Sequence, residues 1–318
     1  WLECTPDTVG SFSAVGYFVG RRLCETLKIP VGLVNATWGG SVIEGWLDVN
    51  ALRGRAVPDR VLARWKTDSV EMPKLLEQWR TDYRAWRVAS EAAKAAGKTF
   101  DTPAPKRPLW KGDKAIPGGI YYAMVYPVRA LPVRGVLWYQ GESNAVRADE
   151  YADLLTGLIA QWRAAFVSPD LPFYIVQLPP YNKKDDPTGL QWARLREARA
   201  KVAALPHTGM VVTIDLGLEA DSIHPRAKQT LSRRLSDLVL ARSYGQNIPA
   251  AYPAFARAEE TPGGVRIHLS NADGLFSKTA EVTGFEVAGA DGVFSSAQAS
   301  VEGDGVLVKI PAGAPRPA

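Results

Sequence analysis

Residues 133–145 read V-R-G-V-L-W-Y-Q-G-E-S-N-A. Positions 135–139 are apolar almost without interruption, the pattern of a strand buried on both faces, and the run stops in a polar cluster that holds Gly141. Strands of that kind open at their carboxyl ends into a ligand crevice, so Gln140, Glu142, Ser143 and Asn144 stand where an α/β enzyme keeps its chemistry. A second apolar run, 210–216, leads to Asp221-Ser222-Ile223-His224-Pro225. Asn, Asp and His at two strand ends point to acyl transfer.

Outward from this stretch, the spacing predicts a helix over 11–27 capped by Ser11 or Ser13. A short buried strand over 31–36 then runs into Thr37-Trp38-Gly39-Gly40-Ser41. Paired glycines after a strand mark either a simple turn or a place where something approaches the backbone closely. Residues 60–97, rich in Ala, Glu, Lys, Arg and Trp at helical spacing, predict one or two exposed helices started or broken at Pro73, within an insertion spanning about 52–100. Residues 98–119, with Pro103, Pro105, Pro108 and Pro117, read as an irregular connection. Trp65, Trp79, Trp86 and Trp110 are read as anchors of the helices rather than as the lining of a sugar site.

After the central run, helices over 149–166 and 191–205 alternate with a strand over 171–178, and a long helix over 225–244 starts on Pro225. This alternation predicts an α/β fold in three layers, α/β/α, around a parallel sheet in residues 1–247. From 248 onward the pattern changes to short alternating segments, 265–269, 282–287 and 306–310, separated by Gly, Asp and Asn. Residues 248–318 are therefore expected to form a C-terminal antiparallel β appendage, with His268 a structural residue in one of its strands.

Composition narrows the function classes. The 318 residues carry 38 Lys and Arg against 33 Asp and Glu, a net charge of +5. The excess is scattered along helices beside acidic partners, with no basic block, so no nucleic-acid partner is expected. No stretch of about 18 uninterrupted apolar residues exists, so no membrane span is expected. Cys4 and Cys24 exclude a disulfide framework and a multi-cysteine zinc site, and are read as free, largely buried thiols. No secretory signal is visible. Trp1 opens what reads as the middle of a folded segment, and an N-terminal portion is expected to lie outside these residues.

Ester cleavage needs a base that titrates near neutrality and is held in one tautomer by a carboxylate. Of the three histidines, His224 alone follows an Asp by three residues on a loop. Taken singly, Asp221 and Asn144 are equally explained as helix or turn caps. Three polar clusters on three strand ends are harder to explain that way. Trp38, Gln140, Glu142 and Gln177 are the candidate pocket residues, and no His or carboxylate spacing around Glu142 supports a metal.

Trp38-Gly39-Gly40-Ser41, Gln140-Gly141-Glu142-Ser143-Asn144 and Asp221-Ser222-Ile223-His224-Pro225 together resemble three of the four sequence blocks of the SGNH (GDSL-like) hydrolases. The longer stretches F-S-A-V-G-Y-F-V-G-R-R-L, P-V-G-L-V-N-A-T-W-G-G-S, V-L-W-Y-Q-G-E-S-N, P-F-Y-I-V-Q-L and I-H-P-R-A-K-Q are similar to the sialate O-acetylesterase branch, over residues 1–244. The resemblance implies an SGNH-hydrolase domain on a flavodoxin-like parallel sheet. It implies that His224 is the general base and Asp221 its orienting partner. The Asn144 amide and the Gly40 N–H, with Gly39 beside it, complete the implied oxyanion hole together with the nucleophile's own N–H. Donors aimed at a developing oxyanion are worth roughly 3 kcal/mol each.

The implied reaction is hydrolysis of an acetyl ester on a sugar, 9-O-acetyl sialic acid first among them, without metal or organic cofactor, in a secreted, periplasmic or lysosomal setting. An acetylxylan esterase, or a catalytically silent carbohydrate-binding relative, carries the same motifs. The family's nucleophilic serine belongs to a G-Q-S-N-M-like block that these residues lack. It is expected in an N-terminal segment outside them, in the same polypeptide or as a separate chain. Residues 120–125, I-Y-Y-A-M-V, also depart from the L-Y-N-G-M-I-like stretch of the family. A rival reading needs no further segment: G-E-S-N-A approximates a nucleophile elbow, and Ser143, Asp221 and His224 follow the chain order of α/β-hydrolases, although Ala145 replaces the second glycine.

Overall fold

Three short parallel strands, β1 (Val136–Trp138), β2 (Phe173–Val176) and β3 (Thr208–Val211), lie side by side in that order. They belong to a computed structural model that describes residues 1–108, 112–181, 186, 190–217, 222–290 and 292–311. Around the sheet run α1 (Pro6–Val9), α2 (Ala14–Leu27), α3 (Ala56–Ala95), α4 (Ala148–Ala165), α5 (Gln191–Ala203) and α6 (Lys228–Tyr244). The chain divides into two compact units, Trp1–Ile248 and Pro249–Ala318.

Alternate residues of β2 show how the layers form. Phe173 and Ile175 are fully buried in one core with Leu154, Leu158 and Trp162 of α4 and Leu195 of α5. Tyr174, between them, points to the opposite side, where its hydroxyl meets Ser243 of α6 at 2.6 Å. A four-residue strand with every residue buried is the signature of a parallel sheet covered on both faces. Each such side chain contributes about 1.5–3 kcal/mol of burial. The first unit is thus α/β/α, as its sequence alternation predicts.

Several elements differ from the sequence reading, each for a physical reason. Residues 31–36 form no strand, and an apolar groove separates them from β1, so they have no ladder to join. β1 itself is only half-buried at Val136 and Leu137, although its sequence is that of a strand covered on both faces. The expected strand over 210–216 is β3, which starts earlier and ends at Val211. Beyond that, Thr213 Oγ1 donates to the Gln177 carbonyl (2.6 Å) and the Leu216 N–H to the Thr213 carbonyl (3.0 Å), which turns the chain. Pro225 is buried outside α6, whose first residue is Lys228. α3 is one helix of 40 residues that runs through Pro73.

The far half of α3 holds residues 98–108 by aromatic contacts. Trp79 stacks on Tyr83 (5.3 Å) and Tyr83 on Trp86 (5.6 Å), and the two indole N–H groups donate to the carbonyls of Pro105 (3.0 Å) and Thr102 (2.7 Å). These tryptophans are anchors. Trp110 lies outside the described residues. Cys4 and Cys24 are free and exposed, not buried as their type suggests. Among the described residues no helix is long and apolar enough to cross a membrane.

The second unit is a five-stranded antiparallel sheet in the order β4 (Ala254–Thr261), β5 (Gly264–Ser270), β8 (Gly305–Val308), β7 (Ser295–Glu302) and β6 (Val282–Val287). Val287, Ala299, Val306 and Val308 form its small core. His268 Nε2 lies 3.1 Å from Glu259 Oε2 across β4 and β5. β4 and β7 escape sequence reading because β4 is exposed nearly throughout and β7 is built largely of Ser and Ala.

Ser13 caps α2 by accepting the Gly16 N–H at 3.1 Å, and α2 packs on α6. Ser13→Ala is expected to lower unfolding free energy by about 1 kcal/mol, with Ser13→Asp retaining it. Chemical denaturation of the two variants checks this.

Candidate active site

Residues 38–41 form a β-turn closed by the Ser41 N–H on the Trp38 carbonyl (3.3 Å). Gly40, in its third place, has φ +74°, the left-handed value that a type II turn demands there and that side chains disfavour. Lys114 Nζ steadies the turn by donating to the Gly39 carbonyl at 2.8 Å. Among the described residues the N–H groups of Gly39 and Gly40 have no acceptor. Trp38 is 42% exposed beside them.

The chain leaving β1 meets this turn. Tyr139 and Gln140 lead to Gly141 (φ +136°), and residues Glu142–Arg147 coil into a 3-10 turn. Gln140 Nε2 donates to the Ser41 carbonyl (3.0 Å), Ser143 Oγ to the Gly40 carbonyl (3.0 Å), and the Ile43 N–H to Asn144 Oδ1 (2.9 Å). Asn144 Nδ2 donates to Glu44 Oε2 at 2.8 Å. An oxygen that accepts a backbone N–H and a nitrogen that faces a carboxylate leave the amide a single orientation. Asn144 is 1% exposed. Among the described residues its second N–H has no acceptor.

Glu44, on the 3-10 turn Ile43–Trp46, is 3% exposed and is the hub of a charge network. Its Oε1 accepts from Arg64 Nη2 (3.2 Å) and Arg147 Nη2 (3.1 Å). Arg64 also clasps both oxygens of the buried Glu150 (3.2 and 3.0 Å), and Arg60 stands 3.5 Å from it. Burial lowers the affinity of Arg64 for its proton, but Glu150 and Glu44 outweigh that and raise its pKa. α3 is thereby tied to the turn that carries Asn144.

Behind Gly141 sits Arg199 of α5, fully buried. Its guanidinium donates to the carbonyls of Gln140 and Leu195 and lies 4.6 Å over the Tyr151 ring, while among the described residues its Nε has no partner. A Cβ on residue 141 would collide with that guanidinium, so both the positive φ and the close approach require glycine. Lys228, at the start of α6, reaches back with Nζ 5.5 Å from the centre of the Tyr139 ring. Burial depresses the Lys228 pKa, against an opposing pull from Glu142. Burial, with a smaller push from Glu142, raises that of Tyr139.

The structure therefore brings together Trp38, Gly40, Gln140 and Asn144, with Glu142 on the same turn. Ser143 is spent on the Gly40 carbonyl and sits in a 3-10 turn, which does not match a strained strand-to-helix elbow. Gln177 follows β2, its N–H donating to the Val211 carbonyl (3.0 Å). His224 is exposed, four residues before Lys228; among the described residues no hydrogen bond joins its imidazole to the Asn144 turn. Asp221 lies outside the described residues. Sequence reasoning missed Glu44, Arg64, Arg147, Glu150 and Arg199. The one signal for them is a carboxylate inside the otherwise apolar V-I-E-G-W of residues 42–46. Among the described residues no group of three His, Cys, Asp or Glu is placed to hold a metal ion.

Comparison with known proteins adds a family. Residues 110–241 match the family model described as carbohydrate esterase, sialic acid-specific acetylesterase. The sialate O-acetylesterase of Rattus norvegicus is 33% identical over 268 residues, which cover 77% of this chain and 46% of the relative. That of Mus musculus is 30% identical over the same shares. The chain spans about half the length of the curated relatives it matches. The crystal structure of a carbohydrate acetylesterase from Xanthomonas citri superposes with a TM-score of 0.71 at 30% identity, covering 98% of this chain and 60% of that one.

Removing the Glu44 carboxylate takes one ion-pair partner from the half-buried Arg64 and Arg147 and the acceptor from the buried Asn144 amide. Glu44→Ala is expected to cost about 3 kcal/mol in urea denaturation, with Glu44→Gln recovering the part that depends on Asn144. An unchanged midpoint would show that the network does not hold the turn.

Proposed function

We propose that this homologue of the sialate O-acetylesterases serves a carbohydrate O-acetylesterase site, with residues 1–247 as its SGNH-like domain and 9-O-acetyl sialic acid as the first substrate to test. Homology over most of the chain supports the reaction class. The observation that carries the site is the joining of residues 38–43 to the Gln140–Asn144 turn by three hydrogen bonds, which sets neutral donors side by side.

In this reading a serine hydroxyl attacks the acetyl carbonyl while His224, oriented by Asp221, accepts its proton. The oxyanion that forms takes hydrogen bonds from the Gly40 N–H and from the second N–H of Asn144. Glu44 serves by holding that amide in plane. Collapse of the intermediate breaks the bond to the sugar oxygen, which leaves with the proton from His224. Water, deprotonated by His224, then releases acetate and restores the serine. Trp38, Gln140, Glu142 and Gln177 line the sugar's approach. The proposal assigns the attacking serine to a segment outside these 318 residues, in one polypeptide or as a separate chain, a reading that the hydrogen bond of Ser143 to the Gly40 carbonyl favours. The relatives' greater length supports that assignment. The proposal includes an exported or lysosomal setting, supported by resemblance alone.

The test is acetyl-ester hydrolysis by the chain alone and by the chain with its N-terminal neighbour restored, on 9-O-acetyl sialic acid and acetylated xylan. The restored protein is expected to cleave the sialic acid ester and to lose at least about 100-fold in kcat with His224→Ala. Activity of the short chain that Ser143→Ala abolishes would overturn the assignment. Binding of the sugar without turnover by the restored protein would leave a carbohydrate-binding relative.

A further inference from the structure

A cleft of about 700 Å³ lies between the first third of α3, the 3-10 turn Val49–Leu52 and residues 116–117. Its wall carries Trp65, half-buried, on the residue after Arg64. Tryptophans that anchor structure in this protein spend their indole N–H: those of Trp46, Trp79, Trp86, Trp138, Trp162 and Trp192 each donate to a hydroxyl or a carbonyl. Among the described residues the indole N–H of Trp65 has no acceptor and its ring no aromatic partner. Trp38, on the 38–41 turn, shares that property. Trp65 thus departs from the anchoring role expected of it, and presents a broad apolar face with a free donor at its edge.

Polar groups converge on the same cleft. Arg53 donates from Nε and Nη2 to Asn50 Oδ1 (3.2 and 2.8 Å), which braces the guanidinium and leaves Nη1 without an acceptor among the described residues. Lys66, next to Trp65, forms no ion pair among the described residues. Asp59 also lines the cleft, with Oδ1 accepting the Gly54 N–H at 3.1 Å. Two cations against one carboxylate that already holds a backbone donor leave the cleft net positive. The segment that closes it is fastened beside the 38–41 turn. Lys114 holds the Gly39 carbonyl through Nζ (2.8 Å) and accepts the Val42 N–H (3.4 Å), and the Gly118 N–H donates to the Glu44 carbonyl (3.0 Å). Ile116 and Pro117 lie between those two attachments, and a chain advances at most about 3.6 Å per residue, so cleft and turn are neighbours. All these residues belong to the first unit.

We infer that this cleft is a saccharide-binding site whose ligand is a pyranose bearing a carboxylate. The apolar face of the sugar ring lies on Trp65. A ring hydroxyl accepts the indole N–H, and the free amide nitrogen of Asn50 serves a second hydroxyl. The carboxylate pairs with Arg53 and Lys66, the two cations of the wall. One aromatic face with a few convergent polar groups in a cleft of this size is the composition of a small-ligand site. A sialic acid and a uronic acid present the same chemistry, a carboxylate on a ring with one apolar face. That the bound sugar belongs to the same glycan as the acetylated residue rests on the esterase reading above; that the cleft binds a carboxylated sugar does not.

The test follows the indole N–H signals of the restored protein by NMR while sialyllactose, trigalacturonate or, as the neutral control, lactose is added. Trp65→Phe, which keeps an aromatic face, identifies the Trp65 signal by its loss. At least one of the two acidic sugars is expected to shift that signal and to bind at least about tenfold more tightly than lactose, and the tighter of the two names the source of the carboxylate. Arg53→Gln and Lys66→Gln, both at exposed positions, are expected to abolish the preference over lactose while the other indole signals hold their places, which shows the variants folded. No shift at Trp65 with either acidic sugar overturns the proposal. So does equal affinity for lactose, which would leave the cations without a role, and a shift at Trp38 alone, which would put the sugar on the 38–41 turn. A shift at Trp65 in a protein that hydrolyses no acetyl ester leaves the saccharide site standing and removes the esterase reading.

Discussion

The buried carboxylate of Glu44 is the constraint on which the site depends. It is 3% exposed, and its two oxygens answer three donors: the Asn144 amide on one, Arg64 and Arg147 on the other. A charge so placed is tolerated only because it is paired and hydrogen-bonded, and its net contribution to stability is small beside its contribution to position. Through it the 3-10 turn that follows the glycine pair, the long helix α3 and the turn after β1 share one arrangement. Asn144 then has no choice of rotamer or of amide orientation.

A second constraint works from the other side of the same turn. Arg199 fills the space that a Cβ on residue 141 would take and draws in the Gln140 carbonyl, so the chain leaves β1 along one path. Gly40 does the matching service across the gap, with a left-handed φ that aims its carbonyl at Ser143. Two glycines and two buried charged groups thus place a set of neutral donors without spending a titratable side chain at the centre. Neutral donors suit a developing oxyanion, since they need no proton balance of their own.

Much of this was legible in the sequence and some of it could not be. The strand and helix alternation follows from apolar period, and a serine cap for α2, at 11 or 13, from residue type; the structure gives it to Ser13. The turn at Gly39-Gly40 and the cluster Gln140 to Asn144 were visible because a polar cluster directly after an apolar run marks the place where a strand leaves the core. Strand limits were less visible: the run 210–216 is apolar beyond Val211, but pairing stops where β2 stops. Residues 31–36 read as a strand and form none, because a strand is a property of a pair and apolar character belongs to one segment. Glu44 and Arg199 were hidden for the same reason; their meaning lies in partners 100 and 59 residues away in sequence. The relation of His224 to the Asn144 turn also depends on tertiary structure, and its loop includes Asp221, outside the described residues.

The most direct measurement is steady-state acetyl-ester kinetics of Asn144→Ala and Asn144→Asp in the restored protein, with folding checked for each. If the pinned amide is an oxyanion donor, kcat falls by roughly 10²–10³ in the alanine variant while KM stays within a few fold. The aspartate variant, which sets a second carboxylate against Glu44, is expected to lose at least as much. A folded Asn144→Ala protein with unchanged kcat would contradict the account, and would make the amide a structural strut.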